Sequence, residues 1–355
     1  MSKRFIPFYD IRKYDRVLVV DSYHPAAFTL SHWRGAPIHP GIHDDTSTGI
    51  VLNALKAGIP QLDYPHITNN HFDIDGFLGV WALFNPSLAL QYEEVLRQMA
   101  RLGDFRELYP AAPQADISLK LVCWINTVEK RKFYGPFEAP EHQDKEAILC
   151  VPKYTYFLQH FRDVLLNTEH YISDYHQEYQ RVIADMQMIR SQSSNCSDYP
   201  ELGLRIVQTP QPIHYYALFH ESIPYSIIVS IYDEGRYELE YKYITWVDTG
   251  RNTYPRLKLS PLAQRLSCLE PHGKTWRADS IFDTGPILRV NAGKLSKAQR
   301  FDHPYRRVIA PSDIPKDVFI KEVTGYFSRY LSGLPKKDLW TWKEMREIND
   351  SLSLS

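Results

Sequence analysis

The sequence predicts a mixed α/β protein with three parts: a parallel-sheet N-terminal domain, a helical middle segment and an α+β C-terminal domain. Three observations carry this expectation. Residues 16–20 and 64–70 read as buried strands, with a helical stretch at 49–57 between them, an alternation that builds parallel sheets. Residues 152–190 carry long helical patterning with few breakers. From Leu204 onward, short β-like runs at 204–208, 214–219, 225–232 and 237–247 replace that pattern. The composition shifts after Ser191-Gln-Ser-Ser-Asn195, which places the domains at 1–195 and 196–355, the second a substrate or cap domain.

Each element has a local reason. The run Arg16-Val-Leu-Val-Val20 is β-branched and apolar, and it ends at Asp21. A loop rich in Gly, Pro and His follows through Gly41. Asp45-Thr-Ser-Thr48 offers side-chain oxygens to open a helix, and Gly58 with Pro60 closes it. The stretch 77–84 is the next helix, and 87–102 another, with Pro86 before it and Gly103 after. Residues 117–128 read as helical, as do 261–269 and 319–331. Asp233-Glu-Gly235 supplies a hairpin turn.

The bulk properties narrow the function. The 355 residues suit about two domains, and 44% hydrophobic content with 23% charged is ordinary for a globular chain. A formal net charge of −1 gives no global attraction to nucleic acid or anionic membrane. The four cysteines are scattered, without a Cys-x-x-Cys pair, which fits a reducing, cytoplasmic setting. No leader or membrane span is read in the sequence. Gly-x-Gly-x-x-Gly and P-loop motifs are absent, which removes dinucleotide and ATPase readings.

The most informative segment is His71-Phe-Asp-Ile-Asp-Gly76, between a strand and a helix. Alternate residues leaving a strand share one side, so His71, Asp73 and Asp75 can converge on a divalent ion. The competing reading is a helix-capping turn. An EF-hand fails, because Ala82 stands where the loop needs Glu. A second constellation, His39, His43, Asp44 and Asp45 with His24 and His32 nearby, lies in the loop after the first strand, at the same sheet edge. From it come His43 and Asp45 as catalytic candidates, and His24, His32 and Arg34 as substrate-binding candidates. Asp21 is either a ligand or an acceptor that ties the loop. Arg251, Arg256 and Arg277 with Trp276 either bind substrate or pack the second domain.

His-x-Asp-x-Asp-Gly between strand and helix resembles the first motif of the DHH phosphoesterase superfamily, over about residues 65–83. The resemblance implies metal ligation by His71, Asp73 and Asp75, with manganese as the expected ion and magnesium or zinc as alternatives. It further implies Asp104 as a second bridging aspartate, and a metal-bound hydroxide attacking a phosphoester of a nucleotide or small metabolite. The family's Asp-His-His triplet is absent, and His142 is the candidate substitute. The whole chain is also similar to an uncharacterised bacterial family, through Trp33-Arg-Gly-Ala-Pro37 and Phe282-Asp-Thr-Gly-Pro286. Two further functions stay open: a metal-dependent biosynthetic enzyme that hydrolyses no phosphoester, and a non-catalytic binding protein. The expected partner is a small-molecule or nucleotide substrate, with a homodimer left open; neither a membrane nor long nucleic acid is expected.

Overall fold

The computed structural model describes residues 3–135, 138 and 145–352. His142 lies outside them. The chain divides into two compact units, Met1–Arg181 and Val182–Ser355, and it is mixed α/β as the sequence predicts. No described helix is long and apolar enough to cross a membrane.

In the first unit, β1 (Arg4–Phe5), β2 (Val17–Val20), β3 (Phe28–Leu30) and β4 (His66–Thr68) form one sheet in the order β1-β4-β2-β3. All three pairings are parallel. Every residue of β2 is buried, as a central parallel strand covered on both faces requires. β3 carries no sequence signal, because three residues are too few to show a period. It returns beside β2 after only a loop, with no crossover helix.

Helices α1 (Ser47–Ala57), α2 (Ile74–Phe84), α3 (Pro86–Gln91), α4 (Glu93–Phe105), α5 (Ala115–Lys132), α6 (Glu146–Leu166) and α7 (Ile172–Ile189) follow. Thr46, within the expected Asp45–Thr48 start, caps α1 by accepting from the Gly49 N–H. Every residue of α2 from Ile74 to Leu83 is buried, which explains its apolar character on all sides. The helix expected at 87–102 is broken at Tyr92 (φ −105°, ψ 24°) into α3 and α4. The long pattern of 152–190 resolves into two helices. The first starts before Pro152, which sits inside it.

In the second unit, β5 (Asn195–Tyr199), β6 (Leu204–Thr209), β7 (Ile227–Tyr232), β8 (Arg236–Tyr241), β9 (Trp276–Ala278) and β10 (Ile287–Val290) form a mixed sheet in the order β5-β6-β7-β8-β10-β9. Only β6 and β7 pair in parallel. The β7–β8 turn has Glu234 and Gly235 at φ 62° and 71°, the left-handed geometry a tight reversal needs. Helices α8 (Tyr215–Leu218), α9 (Ser260–Leu269), α10 (Lys297–Phe301), α11 (Lys316–Leu331) and α12 (Trp342–Leu352) complete the unit. The run 214–219 is therefore helical, not a strand. Its aromatic content suits a strand, but His214 caps the turn through Nδ1, which accepts from the Tyr216 N–H. Phe319 of α11 stacks on Tyr237 and Trp276, covering one sheet face.

Candidate metal centre

The parallel register explains why residues distant in sequence meet. Val19 is level with Thr68, and Val20 with Leu30. Asp21, Ser31-His32 and Asn70-His71 therefore leave the sheet together at the carboxyl ends of three adjacent strands, where α/β sheets bind ligands. Asp21 turns there with φ 50°, a left-handed conformation that Asp tolerates better than most residues.

The acidic motif meets them from α2. Asp73 caps that helix: its Oδ1 accepts from the Gly76 N–H at 2.8 Å. The capping reading is thus correct for one oxygen, while Oδ2 lies 3.0 Å from His71 Nε2. Asp75 accepts from the Ser47 and Thr48 N–H groups at 2.7 and 2.8 Å, docking the start of α1 onto the start of α2. Asp104 comes from the last turn of α4. Gly103 allows that approach, since a Cβ on it would stand 2.6 Å from Ile74 Cβ.

Asp21 is the centre of the arrangement. Its Oδ1 lies 3.2 Å from His32 Nε2 and its Oδ2 lies 3.3 Å from His71 Nε2. Two groups with ligand atoms within 4.8 Å of one another result: Asp21, His32 and Asp75, and Asp21, His71 and Asp73. Asp104 Oδ2 adds a further carboxylate oxygen 3.2 Å from His32 Nε2. Both imidazoles are oriented from behind. His32 Nδ1 is 2.6 Å from the Asp45 carbonyl, and His71 Nδ1 is 2.7 Å from Asn70 Oδ1. An acceptor at Nδ1 fixes the proton there and presents Nε2 as a ligand atom, the usual outer support of a metal-binding histidine.

The electrostatics are those of crowded acids. Burial opposes charge on Asp21, but the His32 and His71 imidazoles outweigh it and hold the carboxyl below its ordinary range. Burial likewise disfavours a cationic His32, yet Asp21 and Asp75 raise it to about 9. Burial and the charge of Asp21 push Asp75 up to about 7. Asp104 is pushed well above the carboxylate range by burial and by Asp75, Asp73 and Asp21. Such paired, opposed shifts concentrate at functional sites.

The other candidates fall elsewhere. His24 accepts from the Ala26 N–H and meets Phe8 edge-on. His39 reaches the Thr29 carbonyl and stacks on Phe28. Asp44 pairs with Arg97, and Asp45 contributes its carbonyl to His32. Among the described residues, the three-ligand groups include neither His24, His43 nor Asp45. Arg34 is half-buried in the turn from Trp33 to Ala36, and the Trp33 ring lies 5.4 Å from that of His71. In the second unit, Arg256 is buried and donates to the carbonyls of Ile281, Asp283 and Thr284. Arg251 lines a small pocket with Tyr254 and Lys336.

A model of a protein family, described as "Family of unknown function (DUF6687)", matches residues 1–338. The chain belongs to this family. The match spans the first unit and most of the second, including all the residues that converge on Asp21. No curated protein and no solved structure matches it.

Two ligand candidates carried little sequence signal. The sequence leaves Asp21 between two readings and points to His32 as a substrate-binding group. Both become legible once the strands before them are aligned in parallel, because each ends a strand at the edge where His71 begins.

Proposed function

We propose that this protein is a divalent-metal-dependent hydrolase acting on a phosphoester of a nucleotide or small metabolite. The observation that carries the reading is the sharing of Asp21 by two ligand groups, one completed by His32 and Asp75, the other by His71 and Asp73. Four carboxylates and two imidazoles are a donor set suited to manganese, magnesium or zinc. The residues present fit such ions on two further counts. Asp104 Oδ2 is buried and, apart from the His32 imidazole 3.2 Å away, has no hydrogen-bond partner among the described residues. The lack of a side chain on Gly76 lets polar groups close in, since a Cβ there would stand 2.2 Å from Asn69 Nδ2 and 3.0 Å from both Asp21 Oδ2 and Asp73 Oδ1.

When bound, a divalent ion supplies Lewis acidity toward a phosphoryl oxygen and lowers the pKa of water. Asp21, His32, Asp75 and Asp104 would hold one ion, and Asp21, His71 and Asp73 a second. The DHH-like element of this reading rests on residues 71–76 alone. His71 and Asp73, with side chains 22% and 37% exposed, form the mouth of the site, while His32, Asp21, Asp75 and Asp104 are at most 3% exposed. Substrate would therefore approach past His71, with the Trp33 ring beside it. A net charge of −1 favours a small anion over a long polyanion.

The test is product release. Purified protein with Mn²⁺ is incubated with nucleotides and small phosphate monoesters and diesters. Release of phosphate or nucleotide that disappears in Asp21→Asn supports the reading. Full metal uptake with no release from any substrate class overturns the hydrolase assignment.

A further inference from the structure

The ligand atoms around Asp21 attract cations; they offer nothing to hold the oxygens of an anionic substrate. Two neutral donors stand beside them. Asn69 follows β4 and is fully buried. Its Oδ1 faces the N–H groups of Asn70 and His71, at 2.6 and 3.4 Å. That fixes the amide orientation and sends Nδ2 the other way. Nδ2 is buried and makes no hydrogen bond. A Cβ on Gly76 would lie 2.2 Å from Nδ2, in the same space that Asp21 Oδ2 and Asp73 Oδ1 border. The amide therefore faces the enclosure formed by the carboxylates.

Tyr154 of α6 brings the second donor. Its ring is fully buried, stacked on Phe5 at 4.4 Å and edge-on to Phe72 at 5.3 Å. Its hydroxyl lies beside the Asn69 side chain and interacts with it, short of a hydrogen bond of ordinary geometry, and burial, ahead of the neighbouring charges, holds it protonated. Buried donors are seldom left unpaired, and two adjacent ones at a polar enclosure mark a place for a ligand oxygen.

We propose that Asn69 Nδ2 and Tyr154 Oη form a neutral donor pair that binds a non-bridging oxygen of a phosphate-bearing substrate. This rests on the metal-dependent reading above and names the residues that recognise the phosphate. Neutrality is the physical point. A Lys or Arg in this place would pair with the carboxylates and compete with the metal, whereas an amide and a phenol leave them free.

The test uses the full chain with inorganic phosphate as probe. Wild type, Tyr154→Phe and Asn69→Asp are each titrated with Mn²⁺ by calorimetry, and the loaded proteins are then titrated with phosphate. Tyr154→Phe keeps the ring packing, so Mn²⁺ affinity stays within about twofold while phosphate affinity falls about tenfold, as loss of one hydrogen bond to a charged group implies. Asn69→Asp keeps the acceptor toward the backbone, loses the donor and loses phosphate binding further. Tyr154→Phe decides the question alone if Asn69→Asp does not fold. Unchanged phosphate affinity with intact Mn²⁺ uptake overturns the proposal and assigns the pair to an internal water. Wild type that takes up Mn²⁺ but no phosphate overturns it and leaves the metal site standing. Wild type that takes up no Mn²⁺ overturns both.

Discussion

Asp104 Oδ2 lies 3.2 Å from His32 Nε2, although α4 ends its last turn there and a carboxylate opposes the negative end of a helix. Three other aspartates press on the same group and raise its proton affinity. An acid kept where packing and charge disfavour it is a mark of function purchased with stability. Asp104→Asn should therefore leave the metal-free protein as stable as wild type or more stable by about 1 kcal/mol. The same change should weaken Mn²⁺ binding at least about tenfold. Thermal melts with and without Mn²⁺ check both halves.

Metal stabilisation should grow with pH. Asp75 is raised to about 7, Asp104 well above its ordinary range and His32 to about 9. For each of these, the stability contributed in the metal-free protein is present below the unfolded-state value and lost as pH rises through the folded value. A metal reverses the direction, because it requires the same groups without their protons. The Mn²⁺-induced rise in Tm should therefore be small at pH 6 and larger at pH 8. With free Mn²⁺ at a hundred times Kd, it should reach about 5–10 °C.

Gly76→Ala tests the shape of the site. Alanine favours the helix at this position, but its Cβ would press on Asn69 Nδ2 at 2.2 Å and on two carboxylate oxygens at 3.0 Å. The expected result is a folded protein with Mn²⁺ affinity reduced more than about tenfold, measured by circular dichroism and calorimetry together.

Behind the site, Lys153 Nζ and Glu129 Oε1 form a buried pair at 2.6 Å, with side chains 1% and 4% exposed. Glu129 is raised to about 7 by burial, against the pull of Lys153. Lys153→Met strands the carboxylate and should lower stability by about 3 kcal/mol at pH 8. At pH 6 the loss should shrink, because Glu129 is then protonated. Urea unfolding at the two pH values measures the difference.

The parallel sheet was legible because 16–20 and 64–70 are apolar, β-branched runs separated by a helix, and β2 and β4 pair as that order implies. The segment 71–76 was legible because its residues are adjacent. Asp21 and His32 were much less so: their meeting depends on β3, a strand of three residues with no periodic signal. The break at Tyr92 and the helix at Tyr215–Leu218 were hidden for a related reason, since local aromatic and apolar content there fits more than one conformation. His43 and Asp45 stand out in the sequence through their chemistry and loop position. The loop also presents the Asp45 carbonyl to His32, a backbone role that side-chain reading cannot find.

The most direct measurement is Mn²⁺ titration of the purified, metal-stripped protein beside Asp21→Asn. Because Asp21 belongs to both ligand groups, saturable, stoichiometric uptake by wild type should be abolished in the variant, whose fold is retained. Absent uptake by wild type, or equal uptake by both, would contradict a metal centre organised around Asp21.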